Sequence, residues 1–311
     1  PRQLDHPAPV AGSNCGVSRE IEPGNRRDRR RSEQQSKRHV FDAPGQIHIP
    51  ISMVMAIVAA ASGAGIGEDV LLYKRLNAIA SPVAVSAAPM HAPPLAIALL
   101  SGGLDSATAA ALAMEAGHRV IGLSFDYGQR HRRELVAAAE ICAHYKVPHR
   151  IADLRGLTPL FGANALTDSH IDVPEGHYEE ASMKATVVPN RNMLLIATAA
   201  AWAMSLKATA VAYGAHGGDH AIYPDCRPAF ADALDKAIRL ADWHEVSLER
   251  PFVGMDKTAI VRRGVELGVP FALTWSCYVG GEQHCGKCGT CVERKEAFLR
   301  AGVTDPTAYA G

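Results

Sequence analysis

Neither sign of charge is in surplus: 32 Lys and Arg stand against 32 Asp and Glu. A chain that grips a long polyanion usually carries a basic excess, so direct nucleic-acid binding is not expected. Strongly apolar runs of membrane-spanning length are also missing. The longest uncharged run, 49–67, "IPISMVMAIVAAASGAGIG", follows a basic stretch, but Ala, Gly and Ser dilute it. That argues against membrane insertion. The seven cysteines lack the even spacing of a secreted disulfide scaffold, and their number is odd. A reducing, cytoplasmic setting is expected. No internal repeat is visible.

What is present is unevenly distributed. The 311 residues suffice for one large domain or two smaller ones. Residues 1–89 hold 11 basic and 8 acidic side chains, and the remainder 21 and 24. "GNRRDRRRSEQQSKRH", 24–39, is polar and has no apolar period. It reads as a nucleic-acid arm or as disorder, and disorder is the expectation. "SPVAVSAAPMHAPP", 81–94, reads as a linker. The chain opens at Pro1, and Met90 precedes the first convincing strand. Residues 1–89 are therefore expected to be a disordered extension and 90–311 the working unit.

From Leu95 the pattern alternates. "LAIALL", "RVIGLSFDYG", "HRIADL", "ATAVAYGA" and "VSLERPF" read as strands. "DSATAAALAMEAG", capped by Asp or Ser at its start and Gly117 at its end, reads as a helix. "HRRELVAAAEICAHYK", "NRNMLLIATAAAWAMSLK", "RPAFADALDKAIRLADWH" and "KTAIVRRGVELG" read as further helices. Such alternation predicts an α/β fold, a doubly wound, mostly parallel sheet with both faces covered.

In such sheets ligands bind beyond the carboxyl ends of the strands. "SGGLDS", Ser101–Ser106, follows the first predicted strand and opens the first helix. Gly102 and Gly103 permit unusual torsions and a close backbone approach. The helix start offers unpaired N–H groups, and Ser101 and Ser106 add hydroxyls. This predicts a cradle for a phosphate chain. It lacks the Gly-Lys-Ser/Thr ending of a Walker loop and is not Gly-x-Gly-x-x-Gly. The stretch resembles the Ser-Gly-Gly-x-Asp-Ser signature of the PP-loop ATP pyrophosphatases, with their adenine-nucleotide alpha hydrolase-like fold. The resemblance implies cleavage of ATP between its α and β phosphates, adenylation of a substrate, and retention of pyrophosphate by the loop. The ATP-binding stretch is then Leu100, Ser101, Gly102, Gly103, Leu104, Asp105, Ser106, Ala107, Thr108, Ala109 and Ala110. Asp105 either places a magnesium ion brought with ATP or caps the helix.

The second cluster is "CYVGGEQHCGKCGTC", 277–291. Cys277, Cys285, Cys288 and Cys291 offer four soft ligands, with glycines to fold the chain around an ion. Four thiolates suit a tetrahedral, structural zinc, one per chain, and an iron–sulfur cluster uses the same ligands. His284 is available as a substitute ligand. Cys226, in "YPDCRP", falls on the ligand side of the predicted sheet and is a candidate for a direct chemical role.

In order, "LLSGGLDSAT", "SFDYGQRH", "VPNRNMLL", "YGAHGGDHAIYPDCRPAF" and "TWSCYVGGEQHCGKCGTCVERKEAF" resemble the 7-cyano-7-deazaguanine synthase family of the queuosine pathway. The resemblance runs from about Pro94 to the C-terminus. It implies a ligase that turns 7-carboxy-7-deazaguanine, ammonia and ATP into the nitrile through an adenylated carboxylate and an amide. It leaves Ser106, Asp105, Lys257 and Arg191 as catalytic candidates, with a solvated or ion-paired role open for Lys257 and Arg191. Asp225, Tyr127, Gln129, Asn190 and Asn192 are candidates for reading the ring. The partners implied are small molecules. A homodimer is compatible with the sequence, which does not fix the assembly. The alternatives are a PP-loop enzyme that thiolates tRNA, with Cys226 as sulfur carrier, and a non-catalytic zinc-ribbon binding module.

Overall fold

A computed structural model describes residues 92–177 and 181–310. The expected extension, 1–89, and the uncharged run within it lie outside the described residues. Five strands form one sheet in the order β3-β2-β1-β4-β5, and every pair is parallel. They are β1 (Leu95–Leu99), β2 (Arg119–Asp126), β3 (His149–Asp153), β4 (Ala210–Ala212) and β5 (Ser247–Glu249). Between them run α1 (Leu104–Glu115), α2 (Arg133–Tyr145), α3 (Arg191–Ser205) and α4 (Pro228–Arg239). α5 (Lys257–Glu266) and α6 (Gly289–Ala301) follow.

Strand side chains alternate between two apolar cores. Leu95, Ile97, Ile121, Leu123 and Phe125 pack with Ile196, Ala199 and Ala203 of α3 and Leu234 and Ile238 of α4. Ala98 and Val120 turn the other way, toward Leu104 and Ala107 of α1, Ile141 of α2, Ile260 of α5 and Phe298 of α6. Apolar residues on both faces give the continuous runs expected of buried parallel strands. Their small side chains let α1 lie close: Ala107, Ala110 and Ala113 are at most 2% exposed.

Helix boundaries follow local chemistry. Asp256 caps α5 by accepting from the Ala259 N–H at 2.7 Å, and Pro228 opens α4. Gly117, at φ +89°, ends α1 as expected. The side-chain cap expected at the start of α1 is not formed; Gly103 occupies that position. Ser106 Oγ is instead turned back on the loop, where it donates to the Gly103 carbonyl. α6 was not among the expected helices. Its sequence, "GTCVERKEAFLRA", sets the buried Arg294 into the face formed by Cys291, Ala297 and Phe298, so the 3.6-residue signal is weak. Arg294 is satisfied by Thr274, the Phe271 carbonyl and Asp305, at 2.7, 3.2 and 3.1 Å. Among the described residues, no helix is long and apolar enough to cross a membrane.

Candidate active site

The strand order reverses between β1 and β4, and a cavity opens beyond their carboxyl ends. Segments distant in sequence meet there: the loop after β1, Tyr127 and Gln129 after β2, the loop after β4, Lys257 of α5 and the cysteine-bearing segment.

The loop is held from within. Ser106 Oγ donates to the Gly103 carbonyl at 3.0 Å and accepts from the Ser101 N–H at 3.2 Å. Gly102 has φ +87°, and a Cβ there would stand 2.3 Å from the Glu134 carbonyl oxygen. Gly103 has an ordinary φ of −79°, so only one of the two glycines needs its special torsion. Gly214, after β4, allows close packing against the start of α1, since a Cβ there would lie 2.9 Å from the Ser106 nitrogen. Of the expected ATP-binding stretch, Leu100, Ser101, Gly103, Asp105 and Ser106 line the cavity. Leu104, Ala107, Thr108, Ala109 and Ala110 are buried in α1, where Thr108 Oγ1 donates to the Leu104 carbonyl.

Lys257 Nζ lies 3.3 Å from Asp105 Oδ2 and 2.5 Å from Glu293 Oε2. Burial alone would lower its pKa, but Asp105, Glu293 and Asp219 outweigh burial and hold the ammonium well above its usual range. Beside it, His216 Nδ1 accepts from the Gly218 N–H at 3.1 Å, which leaves Nε2 to face Asp219, Glu293 and Asp105 at 3.5, 3.9 and 4.0 Å. Asp105 Oδ1 is buried and has no hydrogen-bond partner among the described residues. An orphaned carboxylate oxygen beside a phosphate cradle fits an oxygen-seeking cation.

On the far side, Arg191 Nη1 donates to Tyr127 Oη at 3.1 Å, with its guanidinium 5.7 Å from that ring. Glu134, in the first turn of α2, lines the same cavity. Burial pushes its carboxyl up to about 7, against the pull of Arg191. The side chain of Glu134 has no hydrogen bond or ion pair among the described residues.

The other ring-reading candidates divide. Tyr127, Gln129 and Asn192 line the cavity; Asn190 and Asp225 do not. Gln129 is engaged with its own turn, accepting from the Tyr127 N–H and donating to the Phe125 carbonyl. Asp225 accepts from the Asn192 N–H at 3.0 Å, at the start of α3. Asn190 is exposed at the cap of α3, with φ +56°. Cys226 does line the cavity, and Asn192 Nδ2 donates to its sulfur at 3.2 Å. Burial, together with Asp219 and Asp225, pushes its thiol well above the ordinary range.

The four expected ligand sulfurs, of Cys277, Cys285, Cys288 and Cys291, lie within 4.8 Å of one another. Two of their separations are 3.9 and 4.0 Å. A tetrahedral ion with metal–sulfur bonds of about 2.3 Å needs separations of about 3.8 Å. The N–H groups of Cys285, Lys287 and Cys288 point at cluster sulfurs at 3.3–3.4 Å, as suits thiolates. The set can therefore hold a metal. His284 stands beside it, accepting the Ser276 N–H at 3.0 Å on Nε2 and stacked on Trp275. The segment also supports the reaction cavity. Trp275, Ser276, Tyr278 and Thr290 form one wall, and the Trp275 N–H donates to the Gly102 carbonyl at 2.8 Å.

Glu134, His216, Asp219, Gly214, Glu293 and Tyr278 were not singled out from the sequence. His216 and Gly214 sit in a Gly- and His-rich loop after a strand, which is a usable signal. Glu293 has none, because only the packing of α6 on α5 brings it to Lys257.

Comparison with known proteins agrees with this geometry. The family model described as queuosine biosynthesis protein QueC matches residues 95–302. The 7-cyano-7-deazaguanine synthase of Marinobacter nauticus is 52% identical over 213 residues, 68% of this chain and 96% of that protein. The protein of the same name from Hahella chejuensis is 51% identical over 217 residues, 70% and 94% of the two chains. That from Methanoregula boonei is 48% identical over 214 residues, 69% and 98%. Among solved structures, a 4-thiouridine synthetase–RNA complex with bound ATP has a TM-score of 0.38 at 16% identity. It covers 67% of this chain and 50% of that one, a likeness too slight to decide anything. The matched family model and the near-complete cover of these relatives lead to one conclusion: the chain belongs to the QueC, or 7-cyano-7-deazaguanine synthase, family.

Proposed function

We propose that this protein makes 7-cyano-7-deazaguanine from 7-carboxy-7-deazaguanine, ammonia and ATP. The observation that carries the reading is one cavity at the switch point, in a chain of this family. In it the Ser101–Ser106 loop, Lys257 and Arg191 converge. A carboxylate oxygen is a poor leaving group, and joining it to phosphate makes it a good one. The loop N–H groups, Ser101, Ser106 and Lys257 offset the charge that builds on the phosphates as pyrophosphate departs. Lys257 is suited to this because Glu293 holds it in place beside Asp105. A magnesium ion accompanying ATP would take the Asp105 carboxylate as a ligand and neutralise part of the phosphate charge. The four cysteines would hold zinc in a closed, structural shell that supports the cavity wall. Tyr127, Asn192 and Tyr278 supply polar edges for the ring.

Thiolation of tRNA is not favoured. It needs a reactive thiolate, and Cys226, the cysteine in the cavity, is held as a thiol by burial and two carboxylates. The test is product analysis with ATP and 7-carboxy-7-deazaguanine. AMP and pyrophosphate should appear, two of each per nitrile, with the amide detectable when ATP is limiting. Accumulation of ADP and phosphate would overturn the reading.

A further inference from the structure

Joining ammonia to the carboxyl adenylate, and turning the amide into a nitrile, both release protons from nitrogen. A cavity that performs these steps needs a group to receive them. Most ionisable side chains around it are already engaged. Lys257 is paired with Asp105 and Glu293, His216 faces three carboxylates, and Arg191 and Tyr127 bond to each other. Glu134 differs from them. It lines the cavity, its side chain has no hydrogen bond or ion pair among the described residues, and its backbone carbonyl packs on Gly102 of the phosphate loop. It therefore sits between the loop that holds ATP and the Arg191–Tyr127 pair.

We infer that Glu134 is the general base that takes protons from the substrate nitrogen; this rests on the reaction proposed above. In the first half, ammonia attacks the acyl carbon, the C–N bond forms, AMP leaves, and a proton passes from nitrogen to the Glu134 carboxylate. In the second half, the amide oxygen attacks the α-phosphorus of ATP and pyrophosphate leaves. The nitrogen loses one proton as the adenylated imidate forms and its last as C≡N forms and AMP departs, each taken by the Glu134 carboxylate, which passes it to water before the next. No oxidant or reductant is needed. The charged and titratable groups facing Glu134 are Arg191 from α3 and Tyr127 from the end of β2. Burial pushes its carboxyl up to about 7, where a base is effective at neutral pH.

The test uses the full-length enzyme and two assays. Exchange of labelled pyrophosphate into ATP, with 7-carboxy-7-deazaguanine present, reports adenylation. Nitrile formation from the preformed amide and ATP reports proton removal, and it avoids the pH dependence of ammonia itself. In the wild-type enzyme the second rate should rise with pH through about 7. Glu134→Gln should keep exchange within a few-fold while nitrile formation falls by ~10²-fold or more and loses its acid limb. Glu134→Asp should restore the limb and part of the rate. Wild-type nitrile formation in the Gln variant, an unchanged acid limb, or loss of exchange in both variants would overturn the assignment. If the wild-type enzyme itself showed no exchange, the failure would lie with the proposed function.

Discussion

At the scale of single residues, the two glycines of the phosphate loop separate folding from activity. Gly102 is tied to the fold, through φ +87° and the Glu134 carbonyl that a Cβ would meet at 2.3 Å. Gly102→Ala is expected to lose at least ~1–2 kcal/mol of stability, read as a lower denaturation midpoint. At Gly103 a Cβ meets Ser101 Oγ at 3.4 Å and the Trp275 carbonyl oxygen at 3.7 Å, both tolerable. Gly103→Ala should cost about 1 kcal/mol or less, the loss of a good N-cap residue. Its methyl group enters the space the phosphates need, so AMP formation should fall by about tenfold or more. Ser106→Ala should lose about tenfold to a hundredfold in AMP formation with the fold intact, the value of one charge-assisted hydrogen bond. If Gly103→Ala were fully active and Gly102→Ala fully stable, the description of the loop would be wrong. The sequence marked both glycines, but it could not distinguish them, because the difference comes from a carbonyl on α2, 32 residues along the chain.

At the scale of elements, the cysteine segment and α6 form a wall of the cavity and not an appendage. Trp275 bonds the loop, Tyr278 and Thr290 line the site, and Glu293 reaches Lys257. Losing the metal should therefore silence the enzyme before the sheet unfolds. Chelation is expected to release one zinc per chain and abolish AMP formation while far-ultraviolet circular dichroism changes little. Cys288→Ser should weaken metal binding by at least about a hundredfold, since even partners outside the ligand shell carry 10–100-fold effects. Iron in the purified protein, or zinc retained by that variant, would count against a four-thiolate zinc site. That the four cysteines form a set able to hold a metal was legible from spacing. That the set would close on the reaction cavity was not, since α6 buries an arginine and gives little periodic signal.

At the scale of the whole molecule, the relatives align with roughly two thirds of the chain and the family model begins at residue 95. A chain starting at Met90 is expected to fold and turn over like the full one, checked by thermal unfolding and steady-state assay. Loss of folding would assign residues 1–89 a structural part. From residue 95 onward, local sequence alone was enough to give the alternation of strands and helices, the Gly-rich loop after the first strand and a cluster of four cysteines able to hold a metal. Each depends on neighbours within a few residues: apolar runs, turn residues, and cysteines two to seven apart. Which charges meet follows from the packing of distant elements. Lys257, Asp105 and Glu293 come from α5, α1 and α6, and Glu134, Arg191 and Tyr127 from α2, α3 and the turn after β2. Their partnership depends on the strand order, which brings β1 beside β4 and opens the cavity between them, and no local pattern encodes contacts made across a sheet.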